Sequence, residues 1–271
     1  QLDIVLRDGV ELNEVNIVTR KLGTMKLRSS VMNEEMISSA ELSRAACCNF
    51  GESFVTNPSV DVSYSDAATG AKQIKLLGLS GTYVQMLTEN IPNYRGAASP
   101  YGLGYVPGPW MQSIQVSKGI SSVKNGYEAI TGQINVEFKK PQLPEADWVS
   151  ANLFASSTNR YEANADATLK LSKRWSTSLL AHYENETKAH DGNDDGFVDI
   201  PQVEQYNVWN RWAYMGDHYV FQAGFKALSE SRTSGQAHHT DMQTGDLYKV
   251  GIDTERYELF TKNAYIFNKE K

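Results

Sequence analysis

The residues best equipped for chemistry form one run, Asp191-Gly192-Asn193-Asp194-Asp195-Gly196-Phe197-Val198-Asp199. Side-chain oxygens of Asp191, Asn193, Asp195 and Asp199 fall at loop positions 1, 3, 5 and 9. A glycine at position 6 and the Phe197 carbonyl at 7 complete the opening of a calcium-binding loop. Gln202 stands where a closing bidentate Glu belongs, and no helix flanks the run, so this is no EF-hand. A weak calcium site and a bare Asp/Gly-rich turn both fit it. A second candidate is the Gly/Pro-rich stretch 93–110, which concentrates Tyr94, Arg95, Tyr101, Tyr105 and Trp110. Aromatic and Arg side chains are the usual carriers of binding energy, while an Ω-loop filled by its own aromatics would look the same. His238-His239 with Met242 could capture haem or copper, but adjacent side chains on extended backbone point apart, and a solvated loop explains them as well. Cys47 and Cys48 are adjacent, a poor spacing for a metal site or a disulfide. They read as small buried hydrophobes on a helix. No Ser/His/Asp set, phosphate loop or paired carboxylate points to an enzyme, and no cofactor is required.

The elements that must hold these residues are mostly strands. The chain has 271 residues, 41% hydrophobic, with 26 basic against 32 acidic side chains. No apolar run approaches the roughly 18–20 residues of a transmembrane helix. A transmembrane β-barrel is not excluded, because its apolar residues hide at every second position. Such alternation is regular from Trp148 onward. Tyr161, Ala163, Ala165, Ala167 and Leu169 interleave with Glu162, Asn164, Asp166, Thr168 and Lys170. Trp175 to Tyr183 and Tyr219 to Ala227 repeat the pattern. A soluble sandwich gives the same alternation, so the connections decide. Tight breaks at 172–174 and 216–218 alternate with long loops at about 187–205 and 231–253, as in a barrel with short turns on one side and long loops on the other. The turn at Thr158-Asn159-Arg160 departs from this rule by being short.

Ahead of these strands, Ser113-Ile114-Gln115-Val116-Ser117 and Gln133-Ile134-Asn135-Val136-Glu137-Phe138 are alternating strands joined by a Gly/Asn/Ser-rich connector. Residues 33–37 and 39–54 read as helical, with a Ser N-cap. The stretch 110–141 resembles the end of the plug domain of TonB-dependent outer-membrane receptors. Ile114, Val116, Lys118-Gly119, Ser122, Tyr127, Gly132, Ile134-Asn135 and Lys139-Lys140-Pro141 carry the likeness. The resemblance runs back through Val84–Pro92, Ile74–Leu79 and Met36–Leu42 to about residue 14. Two departures, Leu77 and Thr88-Glu89-Asn90, put the family's inward-facing charges at those positions in doubt.

The resemblance implies an α+β plug domain followed by antiparallel β-strands of a transmembrane β-barrel, here incomplete, since such barrels have about 22 strands. The expected organisation is a remnant of a β-sandwich module (1–13), a TonB-box segment (14–22), the plug (23–143) and six barrel strands (147–271). Without a secretory signal, Gln1 reads as the start of a fragment. Glu14, Val15, Asn16, Ile17, Val18 and Thr19 would pair as an added strand with a TonB-type periplasmic energy-coupling protein. The other expected partners are outer-membrane lipid and a small nutrient ligand (a ferric siderophore, haem or a cobalamin-like molecule) resting on Tyr94, Arg95, Tyr101, Tyr105 and Trp110. No nucleic-acid partner is expected. The competing reading is a secreted or surface β-sandwich binding module with a calcium-stabilised loop.

Overall fold

The computed structural model describes residues 24–26, 33–44, 48–54, 57–66, 68–79, 81–120, 125–141, 148–238 and 245–267. The expected sandwich remnant and TonB-box segment lie outside them. The N-terminal unit contains β1 (Thr24–Lys26), β2 (Asn33–Ser38), α1 (Ser39–Arg44), β3 (Val60–Asp66), β4 (Ala71–Leu76), β5 (Val84–Thr88), β6 (Ile91–Pro92), α2 (Ser99–Gly102), β7 (Met111–Lys118) and β8 (Gly132–Phe138). Its main sheet runs in the order β1-β2-β7-β8-β5-β6, with β3–β4 as a separate hairpin. All pairs in the main sheet are antiparallel except β5 with β8, which is parallel. Every residue of β5 and β8 is buried, as expected for central strands covered on both faces.

The helix expected over residues 33–37 is a strand. Glu34 and Glu35 look helical by propensity, yet they lie in a six-residue ladder against β7, where Glu35 pairs with Lys118 at 2.5 Å and Ser117 donates to Glu34 at 2.9 Å. Tertiary pairing overrides a weak local preference. Of the helix expected over 39–54, Ser39–Arg44 is helical and the described residues 48–51 are not. Further on, Phe50 and Asn49 are drawn instead onto the chain at Val106 and Pro107.

The second unit is a wall of six antiparallel strands in sequence order: β9 (Val149–Ala155), β10 (Tyr161–Lys170), β11 (Trp175–Glu186), β12 (Gln202–Met215), β13 (Tyr219–Gly235) and β14 (Lys249–Tyr265). The short connections 171–174 and 216–218 share one end. The turn 156–160, the longer segment 187–201 and residues 236–238 and 245–248 share the other. Alternation places Glu162, Asn164 and Asp166 of β10 on the inner face, where the N-terminal unit buries them, and Tyr161 and Ala165 on the outer. Outside, aromatic residues gather near the short-turn end, with Trp175 and Tyr214 rings 5.1 Å apart and Tyr214 and Tyr219 6.3 Å apart. A second pair, Tyr183 and Tyr206 at 4.9 Å, lies eight residues along β11 from Trp175. That separation is roughly 26 Å along the strand. It becomes about 20 Å along the axis once strands tilt by ~40°, close to the ~25 Å apolar band of an outer-membrane barrel.

One hydrophobic cluster joins the two units. Phe50, Ile74, Leu103, Val106, Trp110, Ile134 and Phe138 from the first meet Leu180, Trp209 and Leu228 from the wall. Phe138 stands edge-on to Trp209 with ring centres 5.0 Å apart. At the start of β8 the chain needs glycine. Gly132 has φ +157°, and a Cβ there would lie 2.2 Å from the Ser117 carbonyl oxygen and 2.5 Å from a Leu76 methyl. Gly132→Ala is therefore expected to destabilise the N-terminal unit by about 2 kcal/mol or more, read as a lowered unfolding midpoint with the wall's secondary structure retained.

Candidate functional site

The inner face of the wall carries charge where an ordinary sheet would carry leucine, and loops of the N-terminal unit supply the partners in three clusters. The first centres on the two-residue turn between β5 and β6. Glu89 and Asn90 both have positive φ, 56° and 60°, the geometry of the tight hairpin turns that follow right-twisted strands. The turn delivers Glu89, 1% exposed, to the wall. There it accepts a hydrogen bond from Arg211 of β12 and, at 2.9 Å, from the Phe138 amide. Lys262 of β14 lies 3.5 Å from its carboxylate and Lys140 4.0 Å. Lys262 also donates to the Glu89 carbonyl. Arg211 is fully buried, its guanidinium 5.6 Å from the Trp209 ring and 5.9 Å from that of Phe260, so cation–π attraction adds to the ion pair. Burial alone would raise the Glu89 pKa. Arg211 and Lys140, with the Arg211 and Phe138 hydrogen bonds, outweigh it and hold the carboxyl below its ordinary value.

In the second cluster Asn93 donates to Glu258 of β14 at 2.9 Å and accepts from Arg256, which itself donates to Glu258 at 2.7 Å. Lys226 of β13 is 1% exposed and donates to the Tyr94 hydroxyl at 3.1 Å and the Tyr105 carbonyl at 2.7 Å. The third cluster surrounds Arg160. Its guanidinium meets Glu52 of the N-terminal unit at 3.1 Å and wall residues Glu162 and Glu184 at 2.7 and 3.0 Å. These contacts satisfy charges that could not remain buried alone. They fix the register of one unit inside the other while leaving an interface that is polar rather than fused.

Residues 24–133 match the family model described as the TonB-dependent receptor plug domain. The chain carries a TonB-dependent receptor plug domain. It is 24% identical over 185 residues to the vitamin B12 transporter BtuB of Vibrio vulnificus (strain CMCP6), covering 68% of this chain and 30% of that protein. In fold it is similar to the Pseudomonas aeruginosa FpvA–pyoverdine–iron complex (TM-score 0.69, 14% identity, 90% of this chain and 33% of that one). It is also similar to the siderophore receptor PiuA of Acinetobacter baumannii (TM-score 0.65, 12% identity, 88% and 34%). The chain spans about a third of the length of these proteins. Its wall is a stretch of antiparallel barrel strands beside the plug.

The plug divides the expected ligand contacts. Tyr94, Tyr105 and Trp110 are 3%, 2% and 1% exposed, which corrects their assignment as contact residues. Tyr94 and Tyr105 face Lys226 in the second cluster, and Trp110 packs edge-on against Phe138 and His182. Their apolar bodies are what the docked interface buries. Arg95 and Tyr101 remain reachable. Arg95 forms a two-nitrogen clamp on Glu128 at 2.6–2.9 Å, beside a cleft of about 630 Å³ that Tyr83, Ser99 and Tyr127 also line. Tyr101 stacks beneath Arg232 of β13 at 5.5 Å, in a smaller cavity of about 220 Å³.

In the 191–199 loop the carboxylates are engaged by the loop's own amides. Asp191 accepts from the Asp195 and Gly196 amides, Asp195 from that of Phe197, and Asp199 from that of Gly192, at 2.7–3.2 Å. Asn193 Oδ1 accepts a second bond from the Asp195 amide. Among the described residues no group of three or more His, Cys, Asp or Glu side chains is placed to hold a metal ion. His238 lies 3.5 Å from Asp191, whereas His239 and Met242 fall outside the described residues.

The doubt about inward charge at 88–90 is also corrected, because Glu89 is the centre of the strongest cluster. Arg211→Met removes the nearest cation from buried Glu89 and leaves it Lys262 and Lys140 at 3.5 and 4.0 Å, so it is expected to cost about 3 kcal/mol of plug docking. Glu89→Gln combined with Arg211→Met should recover part of that loss, measured by denaturation of the intact receptor. A lowered folded pKa means that Glu89 contributes stability above the ordinary carboxylate value of 4.5, lost as pH falls through the folded value. Acid unfolding of the wild type should accordingly take up more protons across that window than Glu89→Gln does.

Proposed function

We propose that this chain is the plug and adjoining wall of an outer-membrane receptor that imports a scarce nutrient of the ferric-siderophore, haem or cobalamin class. The observation that carries the reading is the docking itself. A folded plug fills the concave side of barrel strands and neutralises their buried charges, so the lumen is closed until work is done on it. Transport then needs energy delivered from outside the barrel, and residues 14–19 are the segment we assign to the TonB-type partner. Support for the cargo class comes from the relatives, a vitamin B12 transporter and two siderophore receptors. We assign cargo contact to Arg95, which is exposed, and Tyr101, which is partly so. The aromatic face suits a flat chelate or corrin, and the guanidinium suits carboxylate or propionate groups.

The test uses cells of a Gram-negative host making the intact receptor, supplied in parallel with radiolabelled vitamin B12, haem and ferric siderophores. At least one should bind at the surface and enter only when the energy-coupling partner is present. Ile17→Pro removes a main-chain donor needed for strand addition, and should abolish entry while binding persists. Arg95→Ala and Tyr101→Ala should each weaken binding about tenfold, roughly 1.4 kcal/mol, with little change in melting temperature. Entry that is indifferent both to the partner and to Ile17→Pro would refute the reading.

A further inference from the structure

Two cavities meet between the plug and the wall, one bounded by the turn 156–160 and the ends of β11 to β13, the other by β9 and the start of β10. One, of about 220 Å³, opens at the long-loop end, where Thr158 and Pro201 line it. The other, of about 330 Å³, lies toward the opposite end, where it is lined by Ser39 and Leu42 of α1 with Ser150 and Lys139. Both are lined by Cys48 of the plug and Phe154 of β9, so these two residues form a shared partition. The partition is held by charge. Arg160 borders the first cavity and Glu162 the second, and they meet at 2.7 Å. The same guanidinium reaches Glu52 at 3.1 Å, and Glu52 accepts from the Cys48 amide at 3.0 Å and the Asn49 side chain at 2.8 Å. One arginine of the wall therefore fixes the plug segment that separates the cavities.

We propose that the two cavities are halves of one passage between the plug and the inner face of the wall, and that Arg160 is the latch that keeps them apart. This rests on the transport reading above and gives it a route. The plug side of the partition is thin, a turn and one short 3₁₀ segment from Cys48 to Phe54. It follows α1 closely in sequence, so displacement of the N-terminal part of the plug would draw on it directly. The lining is polar and carries both signs of charge, Lys139 and Glu162 in one cavity and Lys72, Arg160 and Glu184 in the other. A hydrated polar solute fits such a lining better than a lipid does.

Cys48 supplies the reporter. It is buried, and burial, with Glu162 and Glu52 nearby, pushes its thiol up to about 12, so it should be nearly inert at rest. In the intact receptor carrying Cys47→Ser, we would measure the rate at which a small anionic thiosulfonate added to cells modifies Cys48. Arg160→Ala should raise that rate about tenfold or more, because a buried clamp has lost its cation, and Arg160→Lys should fall between. Arg174→Ala, which breaks an exposed pair with Asp217 at 2.9 Å, should leave the rate unchanged. If Arg160→Ala does not assemble, Glu52→Gln weakens the plug half of the same clamp and should also accelerate labelling. Unaltered labelling in a correctly assembled Arg160→Ala receptor, or in Glu52→Gln where that replaces it, overturns the latch. Because this readout needs no cargo, failure of the import assay would remove the transport reading and leave the labelling result standing on its own.

Discussion

The structure depends on charges that face inward from the barrel wall and cannot stay buried without the plug. Arg211 and Lys226 are almost wholly removed from solvent on adjacent strands; Arg211 pairs with Glu89 of a plug loop, while Lys226 lies 3.9 Å from Glu258 of β14 and donates to the Tyr94 hydroxyl and Tyr105 carbonyl of the plug. Isolated ions in such a setting would cost several kcal/mol each. The docked plug therefore has to bring partners for these charges, and it does so at each of them. The apolar cluster running from Ile134 through Phe138 to Trp209 adds area burial but little selectivity of placement. The ion pairs supply the placement, since sliding the plug along the wall would part Glu89 from Arg211 and Glu52 from Arg160.

This division of labour bears on function. A plug held only by hydrophobic packing would be as hard to move as a domain core. Polar contacts gain less net energy, because water can replace them once they are exposed, so a plug held by them can be displaced and can dock again. The Arg160 cluster differs from the other two in position. The Glu89 and Glu258 clusters anchor the β5–β6 hairpin and the start of the 93–110 stretch against β12 to β14. Arg160 holds the segment after α1 against β10. The β5–β6 hairpin and the segment after α1 thus meet different strands of the same wall.

Much of the architecture was legible in the sequence because it is written in short-range periods. Strand β7 and all six wall strands show period-two alternation, which half-buried strands must have, β8 alternates polar and apolar residues although both its faces are buried, and the tight breaks at 172–174 and 216–218 set the lengths of the wall strands. Strand β2 is not legible locally, because Glu34 and Glu35 gain their strand character from Ser117 and Lys118, more than 80 positions away. The site was less legible for the same reason. Arg211 and Glu89 are 122 residues apart, and nothing local announces their pairing, although a cation between Trp209 and Trp212 on an alternating strand is a sign of an inward position. The aromatics of 93–110 were overread as ligand contacts, since composition cannot say which way a ring points. Tyr94, Tyr105 and Trp110 point into the interface, while Tyr101 stays half-exposed.

The central claim is that this wall has one face in lipid and the other beneath the plug. Strand β12 carries a natural reporter on each face, Trp212 outward and 42% exposed, Trp209 inward and 2% exposed. The most direct measurement is fluorescence quenching by brominated acyl chains in receptors reconstituted with a single tryptophan, either Trp212 or Trp209. The account predicts strong quenching of Trp212 and almost none of Trp209. Equal quenching of the two, or quenching of neither, would contradict it.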